Sequence, residues 1–298
     1  IWIGSGCVDV GDGFGDSMVT AEQMQALFGA GMHPLGPEIL RNLDPSVPQV
    51  VADQAMRLGA PFKLLGRVDP FRIEVARRIE ELNKSRGLKR DAPVSVDDRA
   101  RIRTAVAREV FVAEFGREPL DERELAGTIA RHSRPAATAV AGFDLTFSPP
   151  KSVSTLWAVA DQQTAARIEV AHQQAVRQAL QFIEQNLLYS REGTRGVRQV
   201  DVTGLVAAAF THRDSRAGDP DLHTHVAVAN KVRTVGSGKW LSIDGRVLYR
   251  GAVSASEHYN TTLVKLLERE GLRFEDRTTA GGGRPVREIA GVSAELNQ

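Results

Sequence analysis

The run Thr211-His212-Arg213-Asp214-Ser215-Arg216-Ala217-Gly218-Asp219-Pro220-Asp221-Leu222-His223-Thr224-His225 decides how this chain folds. Three of the seven histidines fall within it. His223 and His225 are two apart, so on a strand they project from one face. Gly218-Asp219-Pro220 is strong turn chemistry between two strand-like runs, Thr203 to His212 and His223 to Val232. A hairpin there returns the chain and brings His212 across from His223 and His225. Three neutral imidazoles on one face suffice to hold a divalent ion with positions left open for substrate. Imidazole donors suit zinc and its transition-metal neighbours. On the second strand Ala227 and Ala229 share the histidine face, and their small side chains predict a shelf beside the ion.

Upstream, Gly142 to Phe147 alternates: Phe143, Leu145 and Phe147 point one way, Asp144 and Thr146 the other. This is a half-buried strand with a carboxylate on its polar side. Ser148-Pro149-Pro150-Lys151-Ser152-Val153-Ser154 follows as a tight loop whose lysine and hydroxyls suit a phosphate, the more so if a helix starts after it and offers free N–H groups; Ser152 to Ala160 fits helix or strand, with helix preferred. Asp161 then caps a long helix to about Leu188, with Ala165, Ile168, Val176, Ala179, Leu180, Ile183 and Leu187 facing the core and His172 at its surface or boundary. Tyr189 to Arg198 reads as a basic hairpin, and a last amphipathic helix as Ser254 to Glu270. Strands over Leu272 to Phe274 and Pro285 to Ile289 flank a turn at Gly281-Gly282-Gly283.

The N-terminal part is less patterned. Ile1 to Ser17 is a glycine-rich structural loop that lacks the Lys-Ser/Thr ending of a phosphate cradle. Thr20-Ala21-Glu22-Gln23 is a capping box that opens a short helix ending near Gly29 or Gly31. Pro34, Pro37, Pro45, Pro48 and Pro61 mark a loop-rich stretch up to Asp69. Helices follow over Asp69–Gly87, Val96–Phe115 and Asp121–His132, an inserted helical lobe at about 69 to 135 whose Arg77, Arg78, Glu80 and Glu81 make solvated faces. Long helices alternating with sheet elements give an α+β fold built on one mainly antiparallel sheet.

The 298 residues carry 38 Lys and Arg against 37 Asp and Glu, so any nucleic-acid contact must come from a local patch and not from bulk charge. Cys7 is the only cysteine, which excludes an internal disulfide and fits a reducing cytosol. No apolar run approaches a membrane span. The chain starts at Ile1 without a methionine and reads as part of something longer.

Taken together, Gly142 to Ser154, Thr211-His212-Arg213 and Leu222-His223-Thr224-His225 resemble the MobF conjugative relaxases, the TrwC/TraI type, which belong to the HUH endonucleases. Trp2-Ile3-Gly4-Ser5-Gly6 resembles a stretch near the start of actinobacterial members. The resemblance spans nearly the whole chain, 1–298 as one relaxase domain. It implies a ferredoxin-like or palm-type central antiparallel sheet flanked by helices. It also implies nicking of one strand at a plasmid origin of transfer through a 5′-phosphotyrosyl intermediate. His212, His223 and His225 match the metal ligands, with Mg or Mn as the usual ion, and Asp144 matches the acidic residue that orients a ligand histidine and assists deprotonation of the nucleophile. Lys151, Ser152, Arg213 and Arg216 are the candidate DNA contacts. Implied partners are single-stranded or hairpin origin DNA, a fused helicase, relaxosome accessory proteins and a type IV secretion coupling protein, in a bacterial cytoplasm.

Two departures stand out. The family's nucleophilic tyrosines lie upstream of the Trp2 motif, and Tyr189, Tyr249 and Tyr259 match none of their positions. The chain as given is therefore expected to lack strand-transfer activity. The helical lobe is also longer than in the best-known members. Two rival readings are a water-using, metal-dependent single-strand phosphodiesterase and a non-catalytic origin-binding module.

Overall fold

The computed structural model describes residues 1–62, 70–133, 139–277 and 285–293. The expected Asp69 cap and the Gly281–Gly283 turn lie outside them. In chain order the elements are β1 (Trp2–Ile3), α1 (Ala21–Met24), α2 (Gly36–Asn42), α3 (Gln49–Ala55), α4 (Pro70–Ser85), α5 (Val96–Phe115), α6 (Glu122–Ser133), β2 (Gly142–Phe147), α7 (Lys151–Val159) and α8 (Gln162–Asn186). They continue with β3 (Tyr189–Glu192), β4 (Arg198–Asp201), β5 (Ala207–Asp214), β6 (Pro220–Ala229), β7 (Val232–Arg233), β8 (Trp240–Leu241), α9 (Gly245–Arg269), β9 (Phe274–Arg277) and β10 (Val286–Ile289).

The hairpin expected from Thr211 to His225 forms as β5 and β6. Gly218 takes a φ of +87° that its missing Cβ permits, and the Ser215 hydroxyl accepts from the backbone N–H of Ala217 and Asp219 to tie the turn. The four-stranded sheet runs β1-β5-β6-β2 with every pair antiparallel, the expected α+β arrangement. Alternation sorts its faces. Leu222, Val226 and Val228 turn to one side, where they join Ile168, Val176, Ala179, Leu180 and Ile183 of α8 and Leu263 and Leu267 of α9 in the main core. On the other side Ala208 and Ala229 meet Trp2, Cys7, Val10, Phe14, Leu27 and Leu58 in a second core. That second core covers only one end of the face and leaves the histidine end open. Ala229 is thus packed, and the shelf expected beside the histidines reduces to Ala227.

The glycine-rich start is the cover itself. Trp2 pairs with Ala208 at the sheet edge, is wholly buried against Phe14 and donates its indole N–H to Gln23. Gly4, at φ +107°, lies so close to Leu205 that a Cβ would stand 2.4 Å from its carbonyl oxygen. The capping box is present as read, and the helix it opens continues as a π-turn (Gln25–Ala30) and stops at left-handed Gly31.

Three expectations need correction. The proline-rich stretch is not simply loop: Pro37 sits in the first turn of α2 and Pro48 just precedes α3, positions where a missing N–H costs nothing. Helix α9 begins at Gly245, well before Ser254, because the Asp244 side chain caps it by accepting from the N–H of Arg246. Finally, α7 starts directly after Pro150, so Lys151 to Ser154 are helical and not a loop.

Residues Lys63–Ala139 separate as a second compact unit, and Ile1–Phe62 with Val140–Gln298 form the first. The described part of the second unit is the three helices α4, α5 and α6 around Phe71, Val106, Ala107 and Leu125. Its charges are spent on one another at the surface, as in Arg78–Glu109 and Arg131–Glu114, pairs that contribute at most about 1 kcal/mol each.

Candidate metal centre

The antiparallel register sets His212 directly opposite His223 and Phe210 opposite His225, so the pleat turns all three imidazoles to the open face. Their ring centroids lie 5.2 Å (His212–His223), 5.5 Å (His212–His225) and 5.2 Å (His223–His225) apart. On the next strand Thr146 pairs with His225 and Asp144 with Ala227, which brings both polar side chains of β2 alongside. Asp144 takes the Nδ1–H of His225 at 2.9 Å and 3.1 Å to its two oxygens, and Thr146 Oγ1 lies 3.2 Å from the same nitrogen. His223 Nδ1–H donates to the carbonyl of Asp221 at 2.9 Å. In both rings the acceptors hold the proton on Nδ1 and leave the Nε2 lone pair free, the arrangement by which outer partners orient a metal-binding imidazole.

That donor set fits a divalent ion. A ring centroid stands about 3.2 Å from an ion ligated at about 2.1 Å, so three rings around one ion at tetrahedral angles sit about 5.2 Å apart. The observed separations match this. The ring planes do not yet converge, since His212 and His223 lie within 15° of parallel, and among the described residues no three His, Cys, Asp or Glu side chains already form a closed metal-binding group. Closing the trio on an ion therefore requires ring rotation, while the strands already hold the spacing.

The candidate DNA contacts fare unequally. Arg216 is exposed on the hairpin turn. Arg213 follows His212 in the chain but reaches α8, where it forms a two-pronged pair with Glu169, at 3.0 Å and 2.8 Å, and this guanidinium holds the Glu169 carboxyl below its usual range. Lys151 donates its ammonium to the carbonyl of Pro220 at 3.3 Å. Ser152 is a correction: it is completely buried, its backbone N–H bonds Glu288 and its hydroxyl accepts from the N–H of Ile289. A carboxylate from β10 thus occupies the helix N-terminus that was expected to meet a phosphate. The basic hairpin of β3 and β4 is likewise engaged, Arg191 with Asp244 and Arg198 with Glu192.

His172 is the residue the sequence reading misplaced. It is wholly buried on the core side of the sheet, its Nδ1 2.8 Å from the Tyr259 hydroxyl and its Nε2 2.8 Å from Thr224 Oγ1. Burial, helped by the neighbouring His223, pushes its pKa down to about 4. No local pattern pointed to it, because both partners are distant in sequence. The same burial raises the Tyr259 phenol far above its usual range.

The fold and site define an α+β protein that gathers three histidines on one face of an antiparallel strand pair, with a carboxylate fixing one ring from the adjacent strand. The TrwC relaxase family model matches residues 1–298, and the chain belongs to that family of MobF conjugative relaxases. The multifunctional conjugation protein TraI of Escherichia coli is 45% identical over 104 residues, which cover 35% of this chain and 6% of TraI. The TraI of Escherichia coli strain K12 is 35% identical over 169 residues, covering 53% of this chain and 9% of that protein. The chain thus spans less than a tenth of these curated relatives. Among solved structures, a copper-bound conjugative relaxase TrwC in complex with oriT DNA shares 26% identity over 70% of this chain and 63% of its own, with a TM-score of 0.45. TrwC with a 27-mer DNA comprising the recognition hairpin and cleavage site shares 28% identity, covers 62% and 68%, and also gives a TM-score of 0.45. These backbone overlaps are partial, and the family assignment rests on the match over the full chain.

Proposed function

We propose that this chain is the part of a conjugative relaxase that binds single-stranded or hairpin DNA at a plasmid origin of transfer and prepares one phosphodiester for nicking. The observation that carries this reading is the strand-paired trio His212, His223 and His225, with Asp144 holding His225. His212, His223 and His225 would hold a divalent ion, which when bound would supply Lewis-acid polarisation of the scissile phosphate. Mg or Mn follows from the family, whereas three imidazoles also suit zinc or another transition metal. Asp144 keeps the His225 proton on Nδ1. With its side chain 60% exposed, it is also open to accept the proton released by an attacking hydroxyl. Arg216, exposed on the hairpin turn, places positive charge at the rim for the DNA backbone, and Arg213 joins it only by giving up Glu169.

The nucleophile of the intact protein is a tyrosine hydroxyl. It attacks the phosphorus, the P–O3′ bond breaks, and a 5′-phosphotyrosyl linkage and a free 3′-hydroxyl result. Tyr259 is not that group, because its hydroxyl is buried and bonded to His172. In the intact protein we place the nucleophile before Trp2, alongside a fused helicase, relaxosome accessory proteins and a type IV secretion coupling protein in a bacterial cytoplasm. Among the described residues no helix is long and apolar enough to cross a membrane. The lobe of α4 to α6 is proposed as an insertion in the relaxase domain.

The test uses a supercoiled plasmid bearing the cognate origin, with Mg²⁺ or Mn²⁺. Protein extended upstream to include its tyrosines should nick the plasmid and remain attached to the 5′ end, His212→Ala should abolish nicking, and residues 1–298 alone should bind the origin and leave it uncut. Cleavage that leaves no protein on the DNA would show a water-using phosphodiesterase instead. DNA binding indifferent to metal and to His212→Ala, with no cleavage by the extended protein, would show a plain binding module.

A further inference from the structure

Behind the histidine face a buried string of polar groups crosses the core. The Tyr259 hydroxyl on α9 lies 2.8 Å from His172 Nδ1 on α8, His172 Nε2 lies 2.8 Å from Thr224 Oγ1 on β6, and Thr224 Oγ1 lies 3.1 Å from Thr211 Oγ1 on β5. His172, Thr224 and Tyr259 are all but sealed from solvent, at 0%, 3% and 2% exposure. A neutral imidazole has one donor and one acceptor nitrogen, so two hydroxyls satisfy it only when one donates and the other accepts. The string is therefore complete, the condition under which a polar network in a core stiffens it instead of weakening it.

Its placement is specific to the site. Thr211 adjoins His212, and Thr224 stands between His223 and His225, so each of the three histidines is the chain neighbour of a residue in the string. Thr211 and Thr224 are themselves a cross-strand pair in the register. The pleat sends the two threonine side chains to the core and the three imidazoles to the open face. A twist of either strand about these residues would consequently move the rings on the far side. A second tether lies two residues before Thr224, where the N–H of Leu222 donates to Ser154 Oγ on α7 at 3.2 Å.

We infer that Thr224, held by His172 and Tyr259 and linked to Thr211, is a positioning residue for the metal centre, fixing from the buried side the spacing of the three imidazoles. The inference rests on the trio holding a divalent ion. The threonines and His172 touch neither ion nor DNA in this role and act only through the strands.

The test is Mn²⁺ titration by calorimetry on residues 1–298, paired with thermal unfolding in metal-free buffer. Thr224→Val keeps the shape and removes the hydroxyl, and should weaken Mn²⁺ binding about tenfold, the low end of what losing a partner bonded directly to a ligand costs. Thr224→Ser keeps the hydroxyl and should bind within about threefold of the parent. Leu188→Ala loosens the same core beyond the far end of α8 from His172 and should lower the unfolding temperature while leaving affinity unchanged. Should Thr224→Val not fold, Tyr259→Phe serves in its place, with affinity again expected to fall. Equal losses in Thr224→Val and Thr224→Ser, affinity that tracks unfolding temperature across all variants, or a Thr224→Val that binds like the parent would overturn the inference. A parent chain that takes up no Mn²⁺ would overturn the metal centre and the inference with it, which separates the two failures.

Discussion

Acidification should unfold this protein through His172. The side chain has no solvent exposure, and burial holds its pKa at about 4. In the unfolded chain it returns to about 6.5. Between those values the unfolded state binds more protons than the folded one, so stability is complete above about pH 6.5 and declines as pH falls toward 4. The neighbours divide: the charge on His223 favours the depressed value and that on Glu169 opposes it. At about 1.36 kcal/mol per unit, the loss between pH 7.5 and 5 is about 2 kcal/mol and approaches about 3 kcal/mol once the folded group titrates. His172→Gln has no proton to gain there and keeps hydrogen-bonding capacity. Urea unfolding followed by circular dichroism at pH 7.5, 6.0 and 5.0, in metal-free buffer, should show the parent losing about 2 kcal/mol more than the variant across that range. Parallel pH profiles for parent and variant would refute the buried, neutral imidazole. They would also remove one link of the string behind the site.

Other perturbations follow from the same geometry. Asp144→Asn should weaken divalent-metal binding by about 10- to 100-fold in a calorimetric titration, because Asn no longer fixes the Nδ1 proton of His225 by charge. Its unfolding free energy should change by less than about 1 kcal/mol, since the pair is largely solvated. Trp2→Ala should cost about 3 to 5 kcal/mol in urea unfolding, through the cavity left against Phe14 and Leu27 and the lost bond to Gln23.

The parts of this fold that were legible in the sequence are those whose signal is local. Gly218-Asp219-Pro220 names a turn, the alternation on either side names two strands, and together they oppose His212 to His223 without further information. Asp144 follows from the same period-two pattern in β2, and Thr20 and Asp161 from cap chemistry. What escaped depends on contacts between distant residues. His172 sits in a helical pattern where an imidazole scores as polar, and Thr224 and Tyr259, its partners, lie far along the chain. Ser152 looked like a phosphate ligand because Glu288, which fills that helix end, comes from the other end of the chain. The last helix is expected from Ser254, but it starts at Gly245 and runs through Gly251. Gly251 is where α9 packs so tightly on Leu187 that a Cβ would stand 2.3 Å from its side chain. The small residue there serves packing and does not end the helix.

Whether β5 and β6 gather three imidazoles around one ion can be seen by anomalous diffraction at the manganese edge from crystals grown with Mn²⁺. A single strong peak is expected at about 2.0 to 2.3 Å from a ring nitrogen of His212, His223 and His225 together, with Asp144 still on His225 Nδ1. A map with no peak between the three rings, or a peak that leaves any one of them unligated, would contradict it.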